Sequence, residues 1–161
     1  MSSDADFKFI AVLKQLGLRL KLDSFESRLL LQKKMYLLQR CGLDLNLRYG
    51  WYIRGPYSTD LSHMAYRLEP VLDDERIDKI LPTLSSAEKK QLSCAKKLFA
   101  TIDRLGDDKE YWYELVGSIA FLQESNQLKT ENALFTFLEK KKPDRFKKAD
   151  IKKARRIVET I

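Results

Sequence analysis

Cysteine is scarce in this chain: Cys41 and Cys94 are the two in 161 residues. They lie far apart and in no CxxC arrangement, so the spacing suggests neither a disulfide framework nor a zinc site. Each stands in an apolar-rich helical stretch and reads as an inert buried thiol, which points to a reducing, cytoplasmic setting. With 6 Gly and 4 Pro, the chain is not collagenous or low in complexity, and 44% hydrophobic against 33% charged residues is a globular balance. The longest apolar run, Phe9 to Leu13, falls far short of the ~20 residues a membrane span needs. The opening Ser2-Ser3-Asp4-Ala5-Asp6 lacks the basic-then-apolar order of a secretory signal.

Enzyme signatures are equally thin. The one histidine, His63, stands a helical turn from Arg67 on a face that reads as exposed. No nucleophile elbow, HExxH, P-loop or GxGxxG occurs. Asp73-Asp74-Glu75 lacks calcium-loop spacing and reads as a solvated helix start, and Asp107-Asp108 is a loop. The expectation is a protein without enzymatic activity, cofactor or metal.

What the chain does have is charge, unevenly placed. The formal net charge is +7. Residues 18–54 carry eight Lys/Arg against three acids, and residues 139–161 carry ten against four; the intervening 55–138 carry ten against fourteen. Two basic segments thus flank an acidic middle, and clustered positive charge favours polyanions or an acidic partner surface.

The hydrophobic periodicity is helical almost throughout. Phe9, Ile10, Leu13 and Leu16 mark a first helix from about Asp6, with Asp4 or Asp6 as its cap and Gly17 ending it. Leu18 to Leu22 alternates as a short strand or extended link. Ser24 caps a second helix, about Phe25 to Arg40, apolar round more than half its circumference and therefore central; Gln32 and Lys33 interrupt it. Leu45, Leu47, Tyr49, Trp51 and Ile53 then alternate with polar residues, the clearest strand or hairpin signal, which stops at a Gly55-Pro56 turn. Ser58 caps a third helix bearing Leu61, Met64, Ala65 and Leu68, and Pro70 ends it. A short helical piece at Asp73 to Ile80 follows. Ser85-x-x-Glu88 is a capping box opening a helix with Leu92, Ala95, Leu98, Phe99 and Ile102 on one face. Further helices run from about Glu110 to Glu124, from Glu131 to Lys141 behind Thr130, and from Lys147 to Thr160. The length and pattern predict one mainly α multi-helix domain over residues 1–161, with one small β-strand or hairpin element.

Within this frame Gln32 and Lys33 sit on a helix that reads as buried, and buried polar side chains need partners. The Gly55-Pro56-Tyr57-Ser58 turn offers them as carbonyls and a hydroxyl. The stretch Leu31-Gln32-Lys33, Tyr36, Gly55-Pro56-Tyr57-Ser58 and Leu61 resembles the bacterial and archaeal proteins called YwgA-like, and more distantly the Panacea (SocA-like) antitoxin domain. The resemblance covers about 40 residues. It implies the fold, and a regulatory binding module of antitoxin or adaptor kind that works through contacts with a protein such as a toxin or a protease adaptor's target. The candidate partner or ligand site is Gln32, Lys33, Tyr36, Trp51, Arg54, Gly55, Pro56, Tyr57 and Ser58. The alternative is a winged-helix-like nucleic-acid binder using Lys33, Lys34, Arg48, Lys148, Lys152 and Arg155, the last three on one stripe of the C-terminal helix.

Overall fold

The computed structural model describes residues 3–161. Ser2, part of the N-terminal stretch considered above, lies outside the described residues. Helix α1 spans Asp4–Leu16 and is capped by Ser3, not by Asp4 or Asp6. Asp6 occupies the third helical position and accepts from the Ser3 N–H at 3.0 Å while its own N–H donates to Ser3 Oγ, a reciprocal capping box. Gly17 follows in the left-handed conformation, with φ 67°. The Leu18–Leu22 alternation is an extended link without strand pairing.

Helix α2, Phe25–Arg40, starts behind Ser24, whose Oγ accepts from Ser27 N–H. After it the strand or hairpin expected over residues 45–53 forms only in part. Leu45 and Leu47 are buried and their neighbours exposed, so the alternation is real, yet residues 44–49 pair with no strand. The Gln39 side chain takes the partner strand's place: its Oε1 accepts from the N–H groups of Leu45 and Leu47, and its Nε2 donates to the Leu47 carbonyl at 3.1 Å. One amide side chain reproduces a short ladder, so the period-2 signature appears without a sheet.

The β element is a hairpin of β1, Gly50–Tyr52, and β2, Gly55–Tyr57, with Tyr52 opposite Gly55. The turn is therefore Ile53-Arg54. Gly55-Pro56, expected as the turn, lies inside β2, where Pro56 sits opposite Trp51. Helix α3, Thr59–Leu68, follows directly with Ser58 Oγ accepting from Leu61 N–H. A 3-10 turn at Glu69–Val71 contains Pro70, and α4 is one turn, Glu75–Asp78, capped by Asp74. Helix α5, Ser86–Asp103, opens with the Ser85/Glu88 capping box. Then come α6, Lys109–Ser125; α7, Glu131–Lys141; and α8, Lys148–Val158.

Helix α6 is the axis of the domain. Every residue from Trp112 to Leu122 is buried, because α2, α5, α8 and β2 pack round it. Gly117 and Ser118 are adjacent small residues on it, and there β2 crosses: a Cβ on Gly117 would stand 3.6 Å from Pro56. The chain is 65% helical, with eight helices and one two-stranded hairpin among the described residues, a mainly α fold. No helix among them is long and apolar enough to cross a membrane.

Candidate functional site

Helix α2 presents Gln32 and Lys33 inward, and both are buried. Gln32 binds the backbone of Ser58 at two points: its Nε2 donates to the Ser58 carbonyl at 2.9 Å and its Oε1 accepts from the Ser58 N–H at 2.8 Å. Lys33 Nζ donates to the Pro56 carbonyl at 2.7 Å. The expected partners of these polar residues are thus in place, supplied by backbone groups. Ser58 Oγ is used as the cap of α3, so the two side chains of α2 hold β2 and the start of α3 in one position.

Lys33 is the chemically distinctive member. Burial brings its ammonium down from 10.5 to about 7, against the upward pull of the Glu114 carboxylate, with Lys142 and Arg54 adding to the lowering. The unfolded chain keeps the ordinary value, so between pH ~7 and ~10.5 unfolding takes up a proton and stability rises with pH. The contribution is lost as pH falls to about 7 and is flat below. We predict that in urea unfolding the stability of the parent relative to Lys33→Met grows by about 2 kcal/mol from pH 7 to pH 9, at about 1.4 kcal/mol per unit. Groups not coupled to the Lys33 charge cancel in that comparison. An equal difference at both pH values refutes it.

Glu114, on α6, was not singled out from the sequence although it organises the site. Its side chain is fully buried and faces three cations: Arg54 Nη1 at 3.1 Å, Arg145 Nε at 3.3 Å and Lys142 Nζ at 3.4 Å. A signal for it exists: one acid stands inside the apolar run Trp112 to Leu122, at the start of which a helix wholly buried has no solvated face to put it on. Next to it Ser118 Oγ is buried and makes no hydrogen bond, against the Gly55 backbone. Gly55 has φ 89°, the left-handed region.

The other motif residues divide into two places. Tyr36 and Trp51 join an aromatic cluster: Tyr36 lies 5.0 Å from Tyr49 edge-on, and Trp51 is 5.9 Å from Phe121 and 5.7 Å from Phe137. Lys142 covers the Trp51 ring at 5.1 Å. Arg54, Gly55 and Tyr57 instead line a groove of about 340 Å³ between α2, the hairpin and α3, with Gln32 and Lys33 also in its wall.

The residues of the nucleic-acid alternative are not all on a surface. Lys33 is buried on Pro56. Lys34 is half-buried over the Phe99 and Tyr113 rings, 5.7 and 5.4 Å away. Arg48 is exposed but makes a two-point pair with Asp60, both distances 2.9 Å. On α8 the apolar stripe Ile151, Ala154, Ile157 and Val158 is buried, and Lys148 and Lys152 face solvent, whereas Arg155 donates to the Lys129 carbonyl and pairs with Glu159.

The sequence predicts inert buried thiols at both cysteines; the structure has both half-buried. Although 53 positions apart in the chain, they are in contact, Cys94 Sγ against Cys41 Sγ. Burial and the adjacent Cys94 push the Cys41 thiol well above its ordinary range, which keeps it a poor nucleophile. Among the described residues no group of three His, Cys, Asp or Glu side chains could hold a metal ion. His63 is exposed, and its helical neighbour Arg67 is engaged by Asp6 at 2.7 Å.

Compared with known proteins, the chain matches no family model and no curated sequence.

Proposed function

We propose that this chain is a non-enzymatic binding module of antitoxin or adaptor kind, acting through contact with a protein partner. One observation carries the reading. The polar motif residues are committed to holding β2 and α3, while large apolar side chains beside them are left in solvent around the groove: Phe25, Tyr52, Ile53 and Tyr66. A rigid support under an exposed apolar rim is the arrangement of a docking surface. The resemblance of residues 31–61 to the YwgA-like and Panacea domains points the same way, and the Panacea likeness makes a toxin the first partner to look for.

Nucleic acid is the second reading, and what favours it is the exposed row Lys147, Lys148, Lys152, Lys153 and Arg156 on and before α8. The test treats both. The full chain, expressed with an affinity tag in its native cell, is purified and run on a sizing column, then titrated into labelled duplex DNA at two salt concentrations. A protein recovered in fixed stoichiometry supports the module. No such protein, together with duplex binding tighter than about 10⁻⁴ M that weakens with salt and is lost in Lys152→Glu/Arg155→Glu, replaces it with the nucleic-acid reading.

A further inference from the structure

The groove beside the motif has features that specify what would fill it. Five large apolar side chains among the described residues are exposed, and four of them, Phe25 (50%), Tyr52 (50%), Tyr66 (55%) and Ile53 (87%), belong to its lining. The fifth, Ile80, lies elsewhere. Isolated apolar residues on a surface need no explanation; four converging on one concavity do. Their positions follow from the fold. Phe25 is the first residue of α2, Tyr52 and Ile53 are the end of β1 and the tip of the hairpin, and Tyr66 is on the outer face of α3. Three elements therefore contribute the rim, and Gln32 and Lys33 clamp two of them, through Ser58 and Pro56, to the third.

Its charge is one-sided. The ionisable side chains in the lining are Arg28, Lys33 and Arg54, all basic, with the two arginines permanently cationic, and no carboxylate is among them. Arg28 spends one guanidinium nitrogen on the Leu22 carbonyl at 2.8 Å, and Arg54 spends one on Glu114 while its guanidinium stacks 5.3 Å over the Phe25 ring. Each keeps further N–H donors in a fixed orientation, the geometry suited to a carboxylate. Asp23 and Glu26 are on the same turn of chain but outside the lining.

We infer that the groove receives a segment of a partner protein carrying an aromatic or long aliphatic anchor flanked by Asp or Glu, the anchor entering between Phe25 and Tyr66 and the carboxylate meeting Arg28 and Arg54. The inference rests on the binding-module reading and names the chemistry of its partner. Ile53 lines this cavity of about 340 Å³ and is still 87% exposed, so a small molecule confined to it meets only part of the hairpin tip. A peptide covers cavity and tip together, which favours a chain segment.

The experiment is selection of a displayed library of random 12-residue peptides on the full chain, followed by anisotropy with labelled synthetic copies of the enriched sequences. Enriched peptides are expected to place an aromatic or Leu/Ile residue within three positions of Asp or Glu. Their affinity should fall at least tenfold on Ile53→Asp and on Tyr66→Ser, at least fivefold on Arg28→Gln, and be lost when the peptide's acids become Lys. Ile53 and Tyr66 are exposed, so both variants should melt with the parent, and two positions guard against one that does not. Enrichment of basic or uncharged sequences, no enrichment, or a concentration-dependent dimer abolished by Ile53→Asp each overturns the inference, the last by making a second copy of the chain the occupant. If the partner recovered from the native cell binds Ile53→Asp and Tyr66→Ser as tightly as the parent, the groove is refuted and the binding module stands. If selected peptides bind as described and the native cell yields no partner, the groove stands and the module reading fails.

Discussion

Replacing Glu114 by Gln is expected to cost about 3 kcal/mol of stability, since breaking a buried ion pair from one side leaves uncompensated charge and costs roughly 3–5 kcal/mol. The lower end of that range applies. Of the three cations facing the carboxylate, Arg54 and Arg145 are 40% and 33% exposed and can turn to water, whereas Lys142 is 10% exposed and cannot. Lys33, itself buried, also loses the one charge that holds its proton on, so its ammonium is driven further below about 7. Gln keeps the shape and an acceptor, so the loss isolates charge from packing. The check is urea unfolding of Glu114→Gln, Lys142→Met and the double variant. If Glu114 serves to neutralise Lys142, the double variant loses less than the two single losses added, by 1 kcal/mol or more. Additive losses, or a Glu114→Gln loss under 1 kcal/mol, would mean that the cations are already solvated and the carboxylate is dispensable. The same cluster ties α6 to the hairpin through Arg54 and to the segment before α8 through Lys142 and Arg145. A large loss would therefore be felt at the groove as well as in the core.

Much of the fold could be read from the residues, for reasons that are local. The capping box at Ser85 and Glu88 and the caps at Ser24, Ser58 and Thr130 each act within one turn, and all four form. The buried faces of α3, α5 and α8 follow from 3.6-residue spacing alone. The failures share a different cause. The strand or hairpin signal over residues 45–53 held for 50–52, which form β1, and failed for 45–49 because burial alternation reports which side faces the core, not what satisfies the backbone, and here a side chain from α2, Gln39, does so. The Gly55-Pro56 turn failed because a Gly-Pro pair signals a reversal, whereas here Gly55, at positive φ, lets β2 press on α6. At the site, Gln32 and Lys33 were legible as polar residues on an apolar helix, and their partners lie in the motif that follows. The pairing of Glu114 with its three cations and the contact between Cys41 and Cys94 were not, since they join residues 28 to 60 positions apart through tertiary packing. The groove was hidden for the same reason: its rim comes from three elements, and no single stretch of sequence looks unusually apolar.

Gly55→Val should destabilise the chain by about 3 kcal/mol or more, and the reason can be divided in two by experiment. A side chain at φ 89° is strained whatever surrounds it, a cost of roughly 1–3 kcal/mol. A Cβ at this position would also stand 2.4 Å from Ser118 Oγ, with Ser118 Cβ at 3.6 Å and Lys33 Nζ at 3.7 Å. The hydroxyl therefore has to move, within a helix that has no free space around it, and overpacking of this kind adds roughly 1–3 kcal/mol. Ser118→Ala removes the obstructing oxygen and leaves the 3.6 Å Cβ contact, which is ordinary. Because that hydroxyl is buried without a hydrogen-bond partner, its removal alone should leave the melt unchanged or slightly higher. Gly55→Ala carries the same Cβ as Val with no branches, so it is the cleaner probe of the pair. In the Ser118→Ala background Gly55→Ala should cost 1 kcal/mol or more less than in the parent, leaving the backbone strain alone. Equal costs in the two backgrounds would show that the hairpin can lift from α6 without loss, and that the glycine is needed for its conformation and not for the approach of β2 to the central helix. Melts of Gly55→Val that match the parent would remove both explanations and with them the account of Gly55-Pro56-Tyr57-Ser58 as the support on which the groove is built.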